Sequence, residues 1–281
     1  MSESESIRLS VITPCYNANQ YIEKCILHVA EEIVEGVEHL VIDGGSTDGT
    51  AEKIEILGRQ FPHLSFLIEK DKGQSDAMNK GISRARGKYI SFLNVDDYYE
   101  PGAISFVIQY LGENPGTVCL VGNCIVRFSD GSISFVNRPK RLRFRDLASG
   151  TSFPVNPSAY FYLKSTHNVL GGYDVNNHYN MDLDWMLRLS ASHQLSYVDK
   201  DLGNFLLVEE SKTQRDQSEG HAELRKKELL ALHISRLQVF QQILIRGTWF
   251  CFELQNRWIQ AFRWVSLPLR MVRDKIKSIQ E

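Results

Sequence analysis

Apolar residues along the first hundred positions of the chain follow two alternating periods. Four short runs, rich in β-branched and aromatic residues, predict strands at residues 7–13, 38–42, 64–68 and 88–97. Apolar residues recur every three or four positions between these runs, which predicts helices. The first predicted helix carries on one face Ile22, Cys25, Ile26, Val29 and Ile33. Alternation of strand and helix is typical of an α/β protein with a parallel sheet and right-handed crossovers.

A polar cluster follows each of the four predicted strands. The clusters are Tyr16 with Asn17, Asp43, Asp71 with Lys72, and Asp96 with Asp97. The carboxyl ends of parallel strands lie at one edge of a sheet, and open α/β sheets bind ligands in the crevice outside that edge. The sequence therefore predicts a ligand site there.

The fourth cluster places two carboxylates side by side. Adjacent ionised carboxylates repel each other unless a cation compensates, and a divalent metal ion does so directly. Asp96 and Asp97 therefore indicate a hard-metal site at the mouth of the sheet. The alternative is a pair that caps the helix beginning near Pro101.

The turn after the first strand argues against a dinucleotide-binding dehydrogenase. Such enzymes need a G-x-G-x-x-G turn there, and this chain has no glycine between Ile7 and Gly36. Tyr16 instead offers an aromatic face for a nucleobase, although a packed core tyrosine is the commoner role for a single tyrosine. Asp43 could accept a hydrogen bond from a base N–H group.

The second half of the chain predicts more strands and a basic loop. A helix is expected over residues 101–111, and strands over 117–121, 124–128, 133–136, 158–163, 195–198 and 204–208. Ser129-Asp130-Gly131 is a hairpin signal. The loop after the hairpin is basic, and it could meet a diphosphate or a phospholipid surface or could simply be solvated. Its cations are Arg138, Lys140, Arg141, Arg143 and Arg145.

Composition and charge change this picture in two respects. The 281 residues carry a net charge of -2, but residues 221–281 hold eleven Lys and Arg against five Asp and Glu, and are therefore basic. The five cysteines show neither a CxxC pair nor zinc spacing, which favours reduced thiols in the cytoplasm. With no apolar leader and no run long enough to span a bilayer, we expect a cytoplasmic protein.

From residue 221 the apolar period is helical, so we expect an α/β domain over residues 1–220 and a helical extension over 221–281. Basic residues of the extension are interleaved with Trp249, Trp258 and Trp264. This pattern is typical of an interfacial membrane anchor, and the alternative is packing against the domain or a second subunit. No nucleic-acid partner is expected.

Four motifs in register resemble those of family 2 glycosyltransferases of the GT-A fold. They are SVITPCYN at residues 10–17, VIDGGSTDGT at 41–50, DKGQSDAMNKG at 71–81 and FLNVDD at 92–97. The resemblance extends more weakly to about residue 215. It implies a Rossmann-like GT-A sheet that binds a sugar-nucleotide donor, with a UDP-sugar expected.

The resemblance also implies roles for single residues. It places the nucleoside, ribose and sugar-phosphate against Thr13, Pro14, Tyr16, Asn17, Asp43, Lys72, Asp76, Asn79 and Asp96. Asp96 and Asp97 occupy the metal-binding D-x-D position for Mn2+ or Mg2+, and Asp97 is the preferred direct ligand. The chain departs from the family where relatives carry a second acid, a glutamate and a histidine, at Gly44, Met181 and Val208.

Residues 180–189, a predicted helix, contain the acids that the resemblance assigns to catalysis. Asp182 maps onto the catalytic base of inverting members, and the alternative is a carboxylate that stabilises the helix dipole. Asp184 is either a second candidate base or the partner of Arg188. Trp185 is either a stacking face for a sugar acceptor or a core residue.

The implied reaction displaces a nucleoside diphosphate from a donor sugar, with inversion, onto a glycan or lipid-linked acceptor, as in polysaccharide or cell-envelope synthesis. One alternative is a catalytically silent sugar-nucleotide-binding subunit, which would not need the acids at residues 182 and 184. The other is a sugar nucleotidyltransferase, which needs a basic Gly-rich loop that the first turn of this chain lacks.

Overall fold

The computed structural model describes residues 7–150, 152–177 and 180–208. Its strands are β1 (Leu9–Cys15), β2 (Val37–Asp43), β3 (Leu64–Ile68), β4 (Tyr89–Phe92), β5 (Tyr98–Tyr99), β6 (Cys119–Phe128), β7 (Ile133–Asn137), β8 (Tyr160–Leu163) and β9 (Ser196–Leu207). Its helices are α1 (Asn19–Glu32), α2 (Thr50–Gly58), α3 (Gln74–Arg84), α4 (Ala103–Glu113), α5 (Phe144–Ala148), α6 (His167–Leu170) and α7 (Met181–Ser192). Short 3₁₀ helices, Pro157–Ala159 and Lys164–Thr166, flank β8.

Four parallel strands form one half of the sheet, in the order β3-β2-β1-β4. All residues of β1 and β2 are buried, as expected for parallel strands that are covered on both faces. The predicted α/β architecture is confirmed. The carboxyl ends of these four strands lie at one edge, which we call the carboxyl edge.

The other half of the sheet is mixed. β8 pairs antiparallel with both β4 and β6, so β6 runs in the same direction as β4. β9 lies parallel to β6, and β5 lies antiparallel to β9. The predicted hairpin is present, since β7 pairs antiparallel with β6. The ends of β6 and β9 therefore lie at the carboxyl edge as well.

Two strands are longer than the sequence predicts. Residues 117–128 were expected to hold two strands and form one, and the two closing strands are also one strand. The interrupting residue on β6 is Gly122, where a Cβ atom would lie 2.8 Å from the carbonyl oxygen of Lys200. Gly122 therefore permits close approach of β9, and the two strands shift register at Asn123 without ending.

The predicted extension, residues 221–281, lies outside the described residues. The boundary after residue 220 stays a prediction. Among the helices of the described residues, none has the length and apolar character that crossing a bilayer requires.

His39 is an ionisable side chain enclosed in the parallel half. It lies in β2 and is fully buried, with Nε2 2.9 Å from the Thr13 hydroxyl. Burial, and then the neighbouring His63, lower the pKa of His39 to about 3. The imidazole is therefore neutral at pH values where it would be protonated in an unfolded chain.

We expect His39 to weaken the fold in mild acid. Between the unfolded pKa of 6.5 and the folded value of about 3, the unfolded state binds one more proton, so the free energy of unfolding falls as the pH falls. From about pH 7.5 to about pH 5, the loss from this residue is about 2 kcal/mol. Urea unfolding of wild type and of His39→Gln at both pH values measures it. The variant should lose about 2 kcal/mol less, and equal losses would contradict the assignment.

Candidate active site

The turn after β1 presents an exposed aromatic ring at the carboxyl edge. Tyr16 is 62% exposed, which excludes the core position that the sequence left open. Asn17 has a left-handed backbone with φ 48°, a conformation that Asn tolerates. Its N–H donates to Ser46 Oγ at 2.8 Å, and its side-chain oxygen accepts from the Thr47 N–H at 3.0 Å. The turn after β1 is thereby fastened to the loop after β2.

Three of the residues that were predicted to contact the nucleotide are buried. Thr13 and Pro14 are buried within β1. Asp43 is fully buried, and its carboxylate accepts from the N–H groups of Gly45 at 3.2 Å and Ser46 at 3.0 Å and from the Ser46 hydroxyl. Asp43 therefore shapes its own loop, and its direct contact with a base stays a prediction.

The loop before α3 holds the other predicted donor contacts. Lys72 is exposed, and its backbone N–H donates to Asp76 at 3.1 Å. Asp76 also lies 3.8 Å from Lys80. Asn79 donates to the Tyr173 carbonyl and accepts from the Tyr173 N–H, both at 2.8 Å. Asn79 therefore joins α3 to the turn at Tyr173, and Lys72 keeps an exposed side chain. The expected places of Asn79 and Lys72 beside the ribose and sugar-phosphate stay predictions.

Asp97 is an acid that the protein holds firmly at the carboxyl edge. Only 3% of it is exposed, and its carboxylate accepts from Asn156 Nδ2 at 2.7 Å, Asn94 Nδ2 at 2.8 Å and the Leu206 N–H at 3.0 Å. Asp96 is partly exposed, and its side chain forms no hydrogen bond or ion pair with another residue in the described ranges. The preferred metal ligand from the sequence was Asp97, whereas the open carboxylate in the structure belongs to Asp96.

The electrostatics of this pair fit a divalent cation. Burial, and then the charge of Asp96, raise the pKa of Asp97 to about 8, and burial raises the pKa of Asp96. Neither acid forms an ion pair with a Lys or Arg that the structure describes. The described residues also contain no group of three His, Cys, Asp or Glu side chains able to hold a metal ion. A hard cation here would therefore complete its shell with ligand or water oxygens.

A five-residue segment, which we call the connector (residues 156–160), holds two acids. Asn156 at its start donates to Asp97, as given above. Tyr160 at its end donates from its hydroxyl to Asp182 Oδ1 at 3.0 Å. Burial, and then the charge of Asp182, raise the pKa of Tyr160 well above its usual range, so the phenol stays protonated as a donor. Asp182 lies in the first turn of α7 and is partly exposed.

Asp184, the second candidate base, is paired. It is buried, and its carboxylate lies 2.9 Å from Arg188 Nε. Arg188 also donates to the carbonyls of Leu170 at 2.6 Å and Gly172 at 3.0 Å. Of the two roles that the sequence left open, Asp184 therefore takes the ion pair, which fastens α7 to the turn after α6.

Trp185 is a core residue. Its indole is fully buried and stacks on His167, with ring centroids 3.9 Å apart and an interplanar angle of 12°. The rings of Tyr162 and Tyr173 lie 5.2 and 5.5 Å from it. The expectation of an acceptor platform is corrected, because this ring has no accessible face.

Sequence reasoning missed the connector and the donors to Asp97. Asn156 is followed by Pro157, a dipeptide that favours a turn, and this was the available signal. Tyr160 appeared as one aromatic residue of a predicted strand. No sequence pattern marks the Leu206 N–H, because it reaches Asp97 across 109 residues.

The family model described as Glycosyl transferase family 2 matches residues 10–167. Glycosyltransferase GlyG of Streptococcus pneumoniae is 30% identical over 128 residues, which are 45% of this chain and 42% of that protein. The putative teichuronic acid biosynthesis glycosyltransferase TuaG of Bacillus subtilis is 29% identical over 147 residues, 51% of this chain and 58% of that protein. The matches thus span about half the length of these relatives.

Solved structures share the fold at low sequence identity. S. aureus TarS 1-349 in complex with UDP-GlcNAc has a TM-score of 0.64 and 17% identity, over 85% of this chain and 70% of that one. Mannosyltransferase PcManGT from Pyrobaculum calidifontis, in complex with GDP-Man and Mn2+, has a TM-score of 0.59 and 16% identity, over 82% of this chain and 63% of that one.

We expect Gly203→Ala to disturb the connector. A Cβ atom at Gly203 would lie 2.7 Å from the carbonyl carbon of Ser158, so the backbone of the connector must move. Overpacking of this kind costs about 1–3 kcal/mol. Gly112→Ala is the matched control, because a Cβ atom there meets nothing within 4 Å and α4 should gain about 0.5–1 kcal/mol. Urea unfolding compares the two variants, and equal stabilities would contradict the close approach at Gly203.

Proposed function

The chain belongs to glycosyl transferase family 2, and from this we propose that it moves a sugar from a nucleoside-diphosphate donor to a glycan or lipid-linked saccharide. The observation that carries the proposal is the connector. It bonds at one end to the carboxylate pair and at the other to a partly exposed acid in the first turn of a helix. A transferase needs these two functions, leaving-group stabilisation and a base, close to one sugar.

A UDP-sugar is the donor that we propose. The exposed ring of Tyr16 suits base stacking, and the exposed ammonium of Lys72 suits a diphosphate. TarS, a protein of similar fold, was solved with UDP-GlcNAc, and PcManGT with GDP-Man, so the nucleotide is the first point to test.

Metal dependence is part of the proposal. Asp96 would hold Mn2+ or Mg2+ through its open carboxylate, with Asp97 fixed beside it by three hydrogen bonds. Such an ion, when bound, supplies Lewis-acid stabilisation of the charge on the departing diphosphate. The protein's own contribution is a rigid, partly buried pair of oxygen donors at the end of β4.

Asp182 is the proposed general base. It would take the proton of the acceptor hydroxyl while that oxygen attacks the anomeric carbon and the bond to the diphosphate breaks. Tyr160 donates to Oδ1 of Asp182 and so orients the carboxylate. A single base acting opposite the leaving group predicts inversion at the anomeric carbon.

The acceptor belongs, in this proposal, to polysaccharide or cell-envelope synthesis. TuaG, a relative over half of the chain, is named for teichuronic acid biosynthesis, and another relative is the chondroitin synthase of Pasteurella multocida. We propose a cytoplasmic enzyme at the inner face of the membrane, with the basic residues 221–281 at the lipid surface.

The donor site predicts metal-dependent nucleotide binding. Calorimetric titration of UDP should show binding with Mn2+ and at least tenfold weaker binding without it. Asp96→Asn should remove the metal dependence, because a neutral amide is a poorer ligand for a hard cation. Glu55→Gln, an exposed acid on α2, is the control and should behave as wild type. Equal UDP affinity with and without Mn2+ in the wild type would refute metal dependence, and GDP and dTDP would be titrated if UDP does not bind.

Substitutions of the two acids of α7, Asp182 and Asp184, should have different effects on kcat and on stability. Asp182→Asn should lower kcat by about 10²–10⁴-fold and leave UDP affinity unchanged, because it removes the base alone. Asp184→Asn should chiefly lower the unfolding midpoint, because it breaks the pair with Arg188. The rate is measured as release of nucleoside diphosphate, and NMR of the product identifies the anomer that forms. Full activity of Asp182→Asn, or retention of configuration, would overturn this mechanism.

A further inference from the structure

The turn of the β6–β7 hairpin, residues 129–132, is polar and carries Asp130, and exposed apolar side chains flank it. We call residues 128–135 the hairpin tip. Phe128, Ile133 and Phe135 within it are 47%, 54% and 50% exposed. β7 pairs with β6 and with no other strand that the structure describes. Three large apolar side chains at the end of an edge hairpin are costly in water unless a partner covers them.

A basic run, residues 138–145, follows β7 and begins at the end of that strand away from the hairpin turn. All five of its cations are exposed, whereas Pro139 and Leu142 between them are buried. Arg138 and Lys140 lie 3.6 and 3.5 Å from the exposed Asp199, and Arg143 lies 2.8 Å from Asp146. Arg141 and Arg145 form no ion pair with any residue in the described ranges. Exposed ion pairs of this kind are weak, so these cations remain available to an external anion.

The hairpin tip lies beside the candidate active site. Phe128, the last residue of β6, pairs with Leu207 on β9. The preceding residue, Leu206, donates its N–H to Asp97 at 3.0 Å. Both strands end at the carboxyl edge, so a partner that covers the hairpin tip would lie next to the acids that act on the sugar.

We propose that the hairpin tip and the basic run form a contact surface for an anionic phospholipid bilayer. The apolar side chains enter the interface, and the cations meet lipid phosphates. The residues of this surface belong to the catalytic body and differ from the basic residues 221–281. It presents the site to an acceptor whose lipid stays in the bilayer, and only this identification of the acceptor rests on the proposed function.

A lipid surface suits both features of this region, whereas a soluble polyanion suits one. A polyanionic glycan or nucleic acid would pair with the cations but would leave the aliphatic side chain of Ile133 and the two phenylalanine rings in water. An anionic bilayer covers the apolar side chains and neutralises the cations together. Each cation near such a surface raises the partition coefficient of the protein onto the vesicles by about fivefold.

A fluorescent probe at the hairpin tip tests the proposal in the full chain. An environment-sensitive nitrobenzoxadiazole is attached at Ile133→Cys in a Cys251→Ser background, because the other four cysteines are buried. The control probe sits at Ile56→Cys, on α2, where the side chain is 55% exposed. Vesicles of phosphatidylcholine, with and without phosphatidylglycerol, are then titrated.

We expect the probe at position 133 to shift to the blue and brighten with anionic vesicles and not with neutral ones, while the probe at position 56 stays unchanged. Arg141→Gln with Arg145→Gln should raise the lipid concentration for half-maximal shift by about 20-fold or more. Arg59→Gln with Arg84→Gln, a matched pair of exposed arginines, should leave it unchanged.

Two results would overturn the proposal. One is a probe at position 133 that responds no more than the probe at position 56. The other is an equal response to soluble dextran sulfate without vesicles, which would assign the surface to a polyanion. UDP titration of the same labelled proteins separates the two proposals, because donor binding without a shift refutes the lipid surface alone, and a shift without nucleotide binding refutes the donor site alone.

Discussion

The carboxylate of Asp97 is the interaction on which the two halves of the structure depend. Its three donors come from positions 3, 59 and 109 residues away, namely the turn after β4, the connector and the end of β9. A buried carboxylate is expensive unless such donors satisfy it, and removing a single donor leaves a large cost behind. Besides the pairing of β4 with β8, the parallel half and the mixed half are therefore joined at one buried carboxyl group. Any change that moves β9 or the connector acts on the candidate site through it.

The acids of the site divide into supports and open groups. Asp97 and Asp184 are buried, whereas their neighbours Asp96 and Asp182 are partly exposed. Asp43 at the end of β2 is a third support, because its carboxylate is used by its own loop. The hydrogen bonds of Asp97 hold the backbone next to Asp96, and the ion pair of Asp184 holds the helix that carries Asp182. Such a division keeps an open carboxylate in place without burying it.

This division explains how far the sequence could predict the structure. Strand and helix periods are local, so the order of the first four strands and their carboxyl edge could be read from them, and so could the hairpin. Which member of an acid pair faces outward depends on the partners that other segments supply, such as Asn156 for Asp97 and Arg188 for Asp184. Burial of Trp185 likewise requires His167 and Tyr173, which arrive from a separate part of the chain. The fold was therefore more predictable than which of its acids are exposed and which are buried.

The same electrostatics bear on how the proposed ligands would bind. The carboxylate pair repels itself, and burial raises the pKa of Asp97 to about 8. A nucleoside diphosphate is also an anion, and the exposed cations in the loop after β3 are Lys70 and Lys72. Asp96 and Asp97 therefore disfavour binding of the diphosphate unless a divalent cation lies between them and it. The cation in turn gains more oxygen ligands from the diphosphate than the two carboxylates alone supply. Each ligand should then strengthen binding of the other by the same factor, because coupling between two binding equilibria is reciprocal.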